Sequence, residues 1–80
     1  MAVRYLSAET MSQDDFGVPF THKEGEIVWD AKTIYGSWAT MTQKSFNQHA
    51  HVSVRQNGPK QGLGQKYRRA ADGTLPKVGG

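Results

Sequence analysis

The sequence contains no cysteine, which excludes a disulfide framework and a metal site built on thiolates. No apolar run approaches the roughly 20 residues that a membrane-spanning helix needs, and no basic-then-apolar leader opens the chain. The lack of cysteine also fits a reducing compartment. We therefore expect a cytoplasmic protein without membrane contact.

Residue patterns that support catalysis are equally scarce. There is no cysteine nucleophile, and no serine lies in a nucleophile-elbow motif. The glycine-containing stretch over residues 58–64 lacks the Gly-Lys-Ser/Thr ending of a P-loop. His49 and His51 are two apart, as metal ligands on a strand can be, and His22 is the third histidine, but this spacing is equally typical of ordinary polar histidines. We predict no metal, no cofactor and no enzymatic activity.

The length and the aromatic content indicate one small folded unit. Eighty residues suffice for a single domain with one modest core. Hydrophobic residues make up 36% of the chain, and two Trp, three Tyr and three Phe favour folding over wholesale disorder. We expect one domain over residues 1–80, with a folded centre at about residues 13–78 and loose ends.

The net charge of +3 conceals an uneven distribution. Residues 1–30 carry two cations and six carboxylates, a net −4, whereas residues 31–80 carry eight cations and one carboxylate, a net +7. This asymmetry indicates either an anionic partner for the basic half or internal pairing of the two halves.

Apolar residues alternate with others in several short segments. Ile27, Trp29 and Ala31 alternate with Val28 and Asp30, as in a half-buried strand. Further strands are predicted over residues 2–6, 18–21, 33–35 and 51–56, the last from the alternation of Val52 and Val54. Residues 38–41 form another short apolar patch.

One segment follows a helical pattern, and another predicts a hairpin. Thr42 is a suitable N-cap for a helix over residues 42–50. Asp72-Gly73, between residues 66–70 and 75–78, predicts a terminal hairpin whose second arm, with Pro76, lies at a sheet edge. The predicted fold is α+β: a small antiparallel β-rich domain with one short helix.

Residues 13–16 and 42–45 are two turns with paired positions three apart, and residues 62–67 form a glycine-containing tail segment. Together these segments resemble small zinc-ribbon-type proteins of bacteriophages. Those proteins carry a C-x-x-C turn, a strand pair, a glycine-tryptophan segment, a second C-x-x-C at a helix start and a Gly-x-Gly-Gln-Lys-Tyr tail. Gly36, Trp38 and Met41 match this pattern, and so does the run Gly62-Leu63-Gly64-Gln65-Lys66-Tyr67. All four ligand positions differ and hold residues that cannot replace thiolates: Gln13, Phe16, Thr42 and Ser45.

The resemblance implies a metal-free, zinc-ribbon-like domain that is encoded by a phage and acts in the host cytoplasm or in the virion. Apolar packing would have to replace the binding energy of a structural zinc. The residues expected to supply this packing are Phe16, Phe20, Trp29, Trp38 and Phe46.

The segment over residues 57–69 is the strongest candidate for a functional site. Backbone amides of a glycine-containing loop can bind phosphate, and an aromatic ring between cations can stack on a base. The alternative is a flexible loop whose cations are merely solvated. We predict a nucleic-acid-binding site formed by Lys60, Lys66, Tyr67, Arg68 and Arg69.

Tyr35 and Trp38, on either side of Gly36-Ser37, form an alternative site. An exposed pair would bind a protein partner, either a host factor that is inhibited or a virion protein, or would stack on bases. In so small a core, however, we expect Trp38 to be buried like Trp29. The oligomeric state stays open.

Overall fold

The computed structural model describes residues 6–80 as a four-stranded antiparallel sheet with short helices. The strand order is β2-β1-β3-β4. This arrangement confirms the predicted α+β class. Along the chain the elements are α1 (Leu6–Glu9), β1 (Ile27–Lys32), β2 (Trp38–Thr42), α2 (Gln43–His49), α3 (Val52–Asn57), β3 (Gly64–Arg68) and β4 (Lys77–Gly79). No helix within residues 6–80 is long and apolar enough to span a membrane.

One face of the sheet is covered by α2 and α3. The predicted alternation along β1 puts Trp29 and Ala31 on this face, and Trp29 stacks on Phe46 of α2 with ring centroids 3.8 Å apart. The Trp29 indole N–H donates to Gln43 Oε1 at 2.9 Å, so the buried ring keeps its hydrogen bond. The buried cluster consists of Trp29, Ala31, Ala39, Met41, Phe46, Ala50 and Val54.

The opposite face of the sheet packs against the segment before β1 and against Leu75 in the connection between β3 and β4. Val28 and Tyr67, which are register partners on β1 and β3, point to this side. They form a second, smaller cluster with Ala8, Phe20 and Leu75. The sheet is therefore buried on both faces despite the short chain.

Two carboxylates cover the outer edge of β2. Asp14 Oδ2 accepts hydrogen bonds from the Thr42 N–H at 2.8 Å and from Thr42 Oγ1 at 2.9 Å. Asp15 Oδ2 accepts from the Thr40 N–H at 2.7 Å, and the Asp15 N–H donates to the Thr40 carbonyl at 3.0 Å. These contacts satisfy edge groups that would otherwise need a partner strand.

The helix at residues 42–50 is confirmed, but the strand at residues 51–56 is wrong. Thr42 caps α2 by accepting from the Ser45 N–H at 3.2 Å. His51 caps α3 through its Nδ1, which accepts from the Ser53 N–H at 3.1 Å. Consequently the domain has more than the one short helix that the sequence predicted.

Other predicted strands are reduced or differ. Residues 18–21 contribute only a single bridge between Gln13 and Pro19, and residues 33–35 only one between Thr33 and Ala50. Of the strand predicted over residues 2–6, residues 2–5 lie outside the described part, and Leu6 begins α1.

The C-terminal hairpin forms as predicted, and β4 with Pro76 before it is the edge strand. Gly79 is the last residue of β4, and Gly80 follows it close to β3. A Cβ on Gly79 would lie 2.5 Å from Pro59 Cγ, and one on Gly80 would lie 2.6 Å from the Gly64 carbonyl oxygen. Only glycine allows this close approach.

Candidate nucleic-acid interface

The basic strand β3 divides its side chains between the two faces of the sheet. Lys66 and Arg68 pair with Trp29 and Ile27 of β1 and so lie on the helical face. Tyr67 pairs with Val28 and points to the opposite core, and the alternation sends Arg69 the same way. The strand thus separates the residues that the sequence grouped together.

Tyr67 and Arg69 are buried, which corrects the prediction that they contact a partner. Tyr67 is 6% exposed and belongs to the core that includes Leu75. Arg69 is 2% exposed, and its Nε donates to Glu26 Oε1 at 3.0 Å. Tyr67 is thus part of the core, and the Arg69 guanidinium already has a carboxylate partner inside the fold.

The Arg69 guanidinium ties three segments together inside the fold. Its Nη1 donates to the carbonyl oxygens of Gly73 at 2.8 Å and of Glu9 at 3.3 Å. Burial raises the pKa of Glu26, but hydrogen bonds from Thr21 and from Arg69 outweigh this effect and hold that pKa below its ordinary value of 4.5. Arg69 therefore acts as a structural cation.

The other three predicted residues, Lys60, Lys66 and Arg68, remain accessible or half-buried. Lys60 is exposed and forms a bridge with Gly64, the first residue of β3. Lys66 is half-buried, with its Nζ 5.6 Å from the centroid of the Trp29 ring. Arg68 is exposed at the far end of the strand. Since side chains two apart on a strand share a face, Lys66 and Arg68 lie about 7 Å apart at their Cα atoms.

The helical layer adds cations and contributes no carboxylate. Asp30 and Asp72 are consecutive acidic residues in the sequence, so α2, α3, the loop that follows and β3 contain neither Asp nor Glu. We call five residues of this layer the helical-face cations. They are Lys44, Arg55, Lys60, Lys66 and Arg68.

The acidic half does not neutralise these cations. Among the described residues, Arg69–Glu26 is the one ion pair within 4.0 Å. Asp14 and Asp15 are instead bound to the edge of β2, and the carboxylate of Glu9 accepts from the Leu75 N–H at 2.9 Å. Of the two explanations for the charge asymmetry, internal pairing accounts within residues 6–80 for Arg69.

The alternative site is an exposed apolar patch at the β1–β2 connection, which we call the aromatic patch: Ile34, Tyr35 and Trp38. Their exposed fractions are 51%, 65% and 42%, so the expected burial of Trp38 is wrong, whereas that of Trp29 is confirmed. Trp38 begins the edge strand β2 opposite Lys32.

Neighbouring rings hold the patch in place. Tyr35 Oη lies 3.0 Å from His49 Nδ1, and Phe16 stacks on the His49 ring with centroids 4.0 Å apart. Of the five aromatic residues expected to pack together, Trp29 and Phe46 do so, whereas Phe20 lies in the opposite core and Phe16 packs against the first cluster from its rim.

The two turns at residues 13–16 and 42–45 lie side by side, and Asp14 joins them. This carboxylate accepts from the Phe16 and Val18 N–H groups, each at 2.9 Å, within its own turn and from Thr42 in the other. The described residues contain no group of three or more His, Cys, Asp or Glu side chains suited to a metal ion.

The helical layer therefore carries five cations and no carboxylate. The prediction from the sequence included three of these cations and missed the other two. Lys44 and Arg55 could have been found from the acid-free interval that contains them. Comparison with protein-family models, with curated proteins and with solved structures finds no match to this chain.

Proposed function

We propose that the protein is a non-enzymatic binding module, encoded by a phage, that contacts nucleic acid through the helical-face cations. It would act in the host cytoplasm or in the virion. The observation that carries the proposal is the acid-free helical layer, whose cations have no ion-pair partner among the described residues. Of the predicted site, Lys60, Lys66 and Arg68 remain in the proposed interface.

Such a surface favours phosphate over other ligands for an electrostatic reason. Each cation that neutralises a phosphate releases a condensed counterion, and this release drives binding at low salt. Lys and Arg side chains presented without nearby carboxylates avoid competition from internal partners. The proposal therefore requires binding that weakens steeply as salt is added.

The expected salt dependence follows from the number of cations. If all five contact phosphates of a single strand, the slope of log K against log salt is about −3.5. Between about 50 and 200 mM salt, the affinity would then fall roughly 100-fold. A partner bound by apolar contacts would show a far smaller change.

The test is fluorescence anisotropy with labelled single- and double-stranded DNA and RNA at these two salt concentrations. The variant Lys66→Gln/Arg68→Gln removes two central cations and keeps part of each aliphatic stem. The control Lys23→Gln/Lys32→Gln removes the same charge from outside the helical layer. We expect the first variant to lose more affinity and to lower the single-strand slope by about 1.4. Equal losses in both variants, or no binding at low salt, would contradict the proposal.

A protein partner at the aromatic patch is the second candidate function. The exposure of Tyr35 at 65% and of Trp38 at 42% favours it, because large aromatic side chains dominate protein interfaces when accessible. The partner would be a host factor or a virion protein. This function predicts binding that tolerates salt and is lost in Tyr35→Ser/Trp38→Ser, with Lys66→Gln/Arg68→Gln unaffected.

A further inference from the structure

A pocket of about 400 Å³ opens beside Arg68, between the turn at Gly25 and the C-terminal hairpin. Its volume lies toward the small end of the range typical of small-molecule sites, about 300–1,000 Å³. The lining combines apolar groups with one accessible cation and one carboxylate. The residues are Glu24, Gly25, Arg68, Arg69, Ala70, Ala71, Pro76 and Val78.

The composition of the pocket suits a nucleobase better than a phosphate. Pro76 and Val78 provide apolar surface against which a flat ring can pack. Glu24 is exposed and makes no ion pair among the described residues, so its carboxylate would repel a phosphate. A carboxylate can instead accept from the amino group of a base such as cytosine, while an arginine donates to ring or carbonyl acceptors.

Arg68 connects the pocket to the proposed nucleic-acid interface. It lines the pocket, and it is also the last helical-face cation on β3. If the phosphates of a nucleic-acid strand contact Lys66 and Arg68 along β3, the next nucleotide of that strand lies at the pocket. A base can enter only when its pairing edge is free, which a duplex does not allow without unpairing.

We infer that this pocket receives one unpaired base of the bound nucleic acid, so that the protein prefers single strands over duplexes. This inference rests on the proposed function. The base in the pocket contributes to the binding free energy, whereas the rest of the binding free energy comes from phosphate contacts. Hydrogen bonds from one base edge to Glu24 and Arg68 are expected to strengthen binding by about 5- to 150-fold.

The experiment compares two single-stranded probes of about twelve nucleotides, within the usual range of site sizes. One is oligo-dC, and the other is a sugar–phosphate chain of the same length without bases. The readout is the ratio of their affinities, because phosphate contacts contribute equally to both. A duplex that contains the same oligo-dC strand serves as the third probe.

Two variants address the pocket, and one serves as a matched control. Ala71→Leu fills the pocket from an exposed position, and Glu24→Ala removes the carboxylate acceptor. Thr10→Leu adds the same apolar side chain at an exposed position away from the pocket lining. We expect the affinity ratio of oligo-dC to the abasic chain to fall about fivefold or more in both pocket variants and to stay unchanged in the control.

The outcomes separate the two proposals. The inference is overturned if oligo-dC and the abasic chain bind equally to the unmodified protein, or if both pocket variants keep the original affinity ratio. The proposed function still stands in either case when binding depends on Lys66 and Arg68. If neither probe binds at low salt, the proposed function fails and the inference fails with it.

Discussion

The same substitution should destabilise the protein strongly at Arg69 and hardly at all at the neighbouring Arg68. Arg69→Met retains apolar volume but removes the donor to Glu26 Oε1 and to two backbone carbonyls. Removing one partner of a buried ion pair typically destabilises a protein by about 3–5 kcal/mol. Glu26 keeps its hydrogen bonds from Thr21 and His22, so we expect the lower end, about 3 kcal/mol.

This loss is large for a chain of 80 residues, whose total stability is about 4–12 kcal/mol. It corresponds to a fall in Tm of roughly 12–24 °C. The assay is thermal and urea unfolding followed by circular dichroism, with Arg68→Met as the matched control. Arg68 is exposed, so its substitution should change the free energy of unfolding by about 0.5 kcal/mol or less.

A second substitution checks the cause. In Arg69→Met/Glu26→Gln the carboxylate that lost its partner is also neutral, so part of the lost stability should return. Equal Tm values for Arg69→Met and Arg68→Met would refute the conclusion that Arg69 is structural. In that case Arg69 would again be a candidate for direct contact with nucleic acid.

Two further predictions concern stability. Gly64→Ala should cost about 1–3 kcal/mol, measured by urea unfolding, because the new Cβ would lie 2.9 Å from Val54 Cγ2; an unchanged midpoint would show that α3 does not pack on β3 this closely. For Asp14, burial raises the pKa, but the adjacent Ser45 hydroxyl and hydrogen bonds from Thr42 and Val18 outweigh it and hold the pKa below 3.8. Its contribution to stability is therefore present above about pH 4 and lost as the pH falls through the lowered folded-state pKa, and Asp14→Asn should flatten this acid limb of the unfolding curve.

Local patterns were sufficient to predict the centre of the fold. Trp29 and Ala31 alternate with Val28, and this alternation fixed the two faces of β1 before any tertiary contact was known. The Thr42 cap and the Asp72-Gly73 turn likewise act within a few residues of themselves. Each of these features depends on sequence neighbours alone, and each was predicted correctly.

The error at α3 arose because two valines two positions apart fit more than one structure. In a strand, Val52 and Val54 would share a face, whereas in a helix they point to nearly opposite sides. The structure has Val52 46% exposed and Val54 fully buried, as the helix requires. The His51 cap decides between the two, and histidine is a weak sequence indicator of a helix start.

The residues of the candidate site were only partly predictable, because the burial of a side chain depends on distant segments. Along β3 the strand period separates Lys66 and Arg68 from Tyr67 and Arg69, and this separation was within reach of the sequence. The partner that buries Arg69 was not, since Glu26 lies 43 residues away. Trp38 was misjudged because it begins an edge strand, a position that only the strand order reveals.

The most direct test of nucleic-acid binding by the helical layer is an NMR titration of the ¹⁵N-labelled protein with a single-stranded oligonucleotide at low salt. We expect the largest amide shifts on α2, α3 and β3, around Lys44, Arg55, Lys66 and Arg68. Shifts confined to the aromatic patch at Tyr35 and Trp38, or no shifts at all, would contradict this expectation.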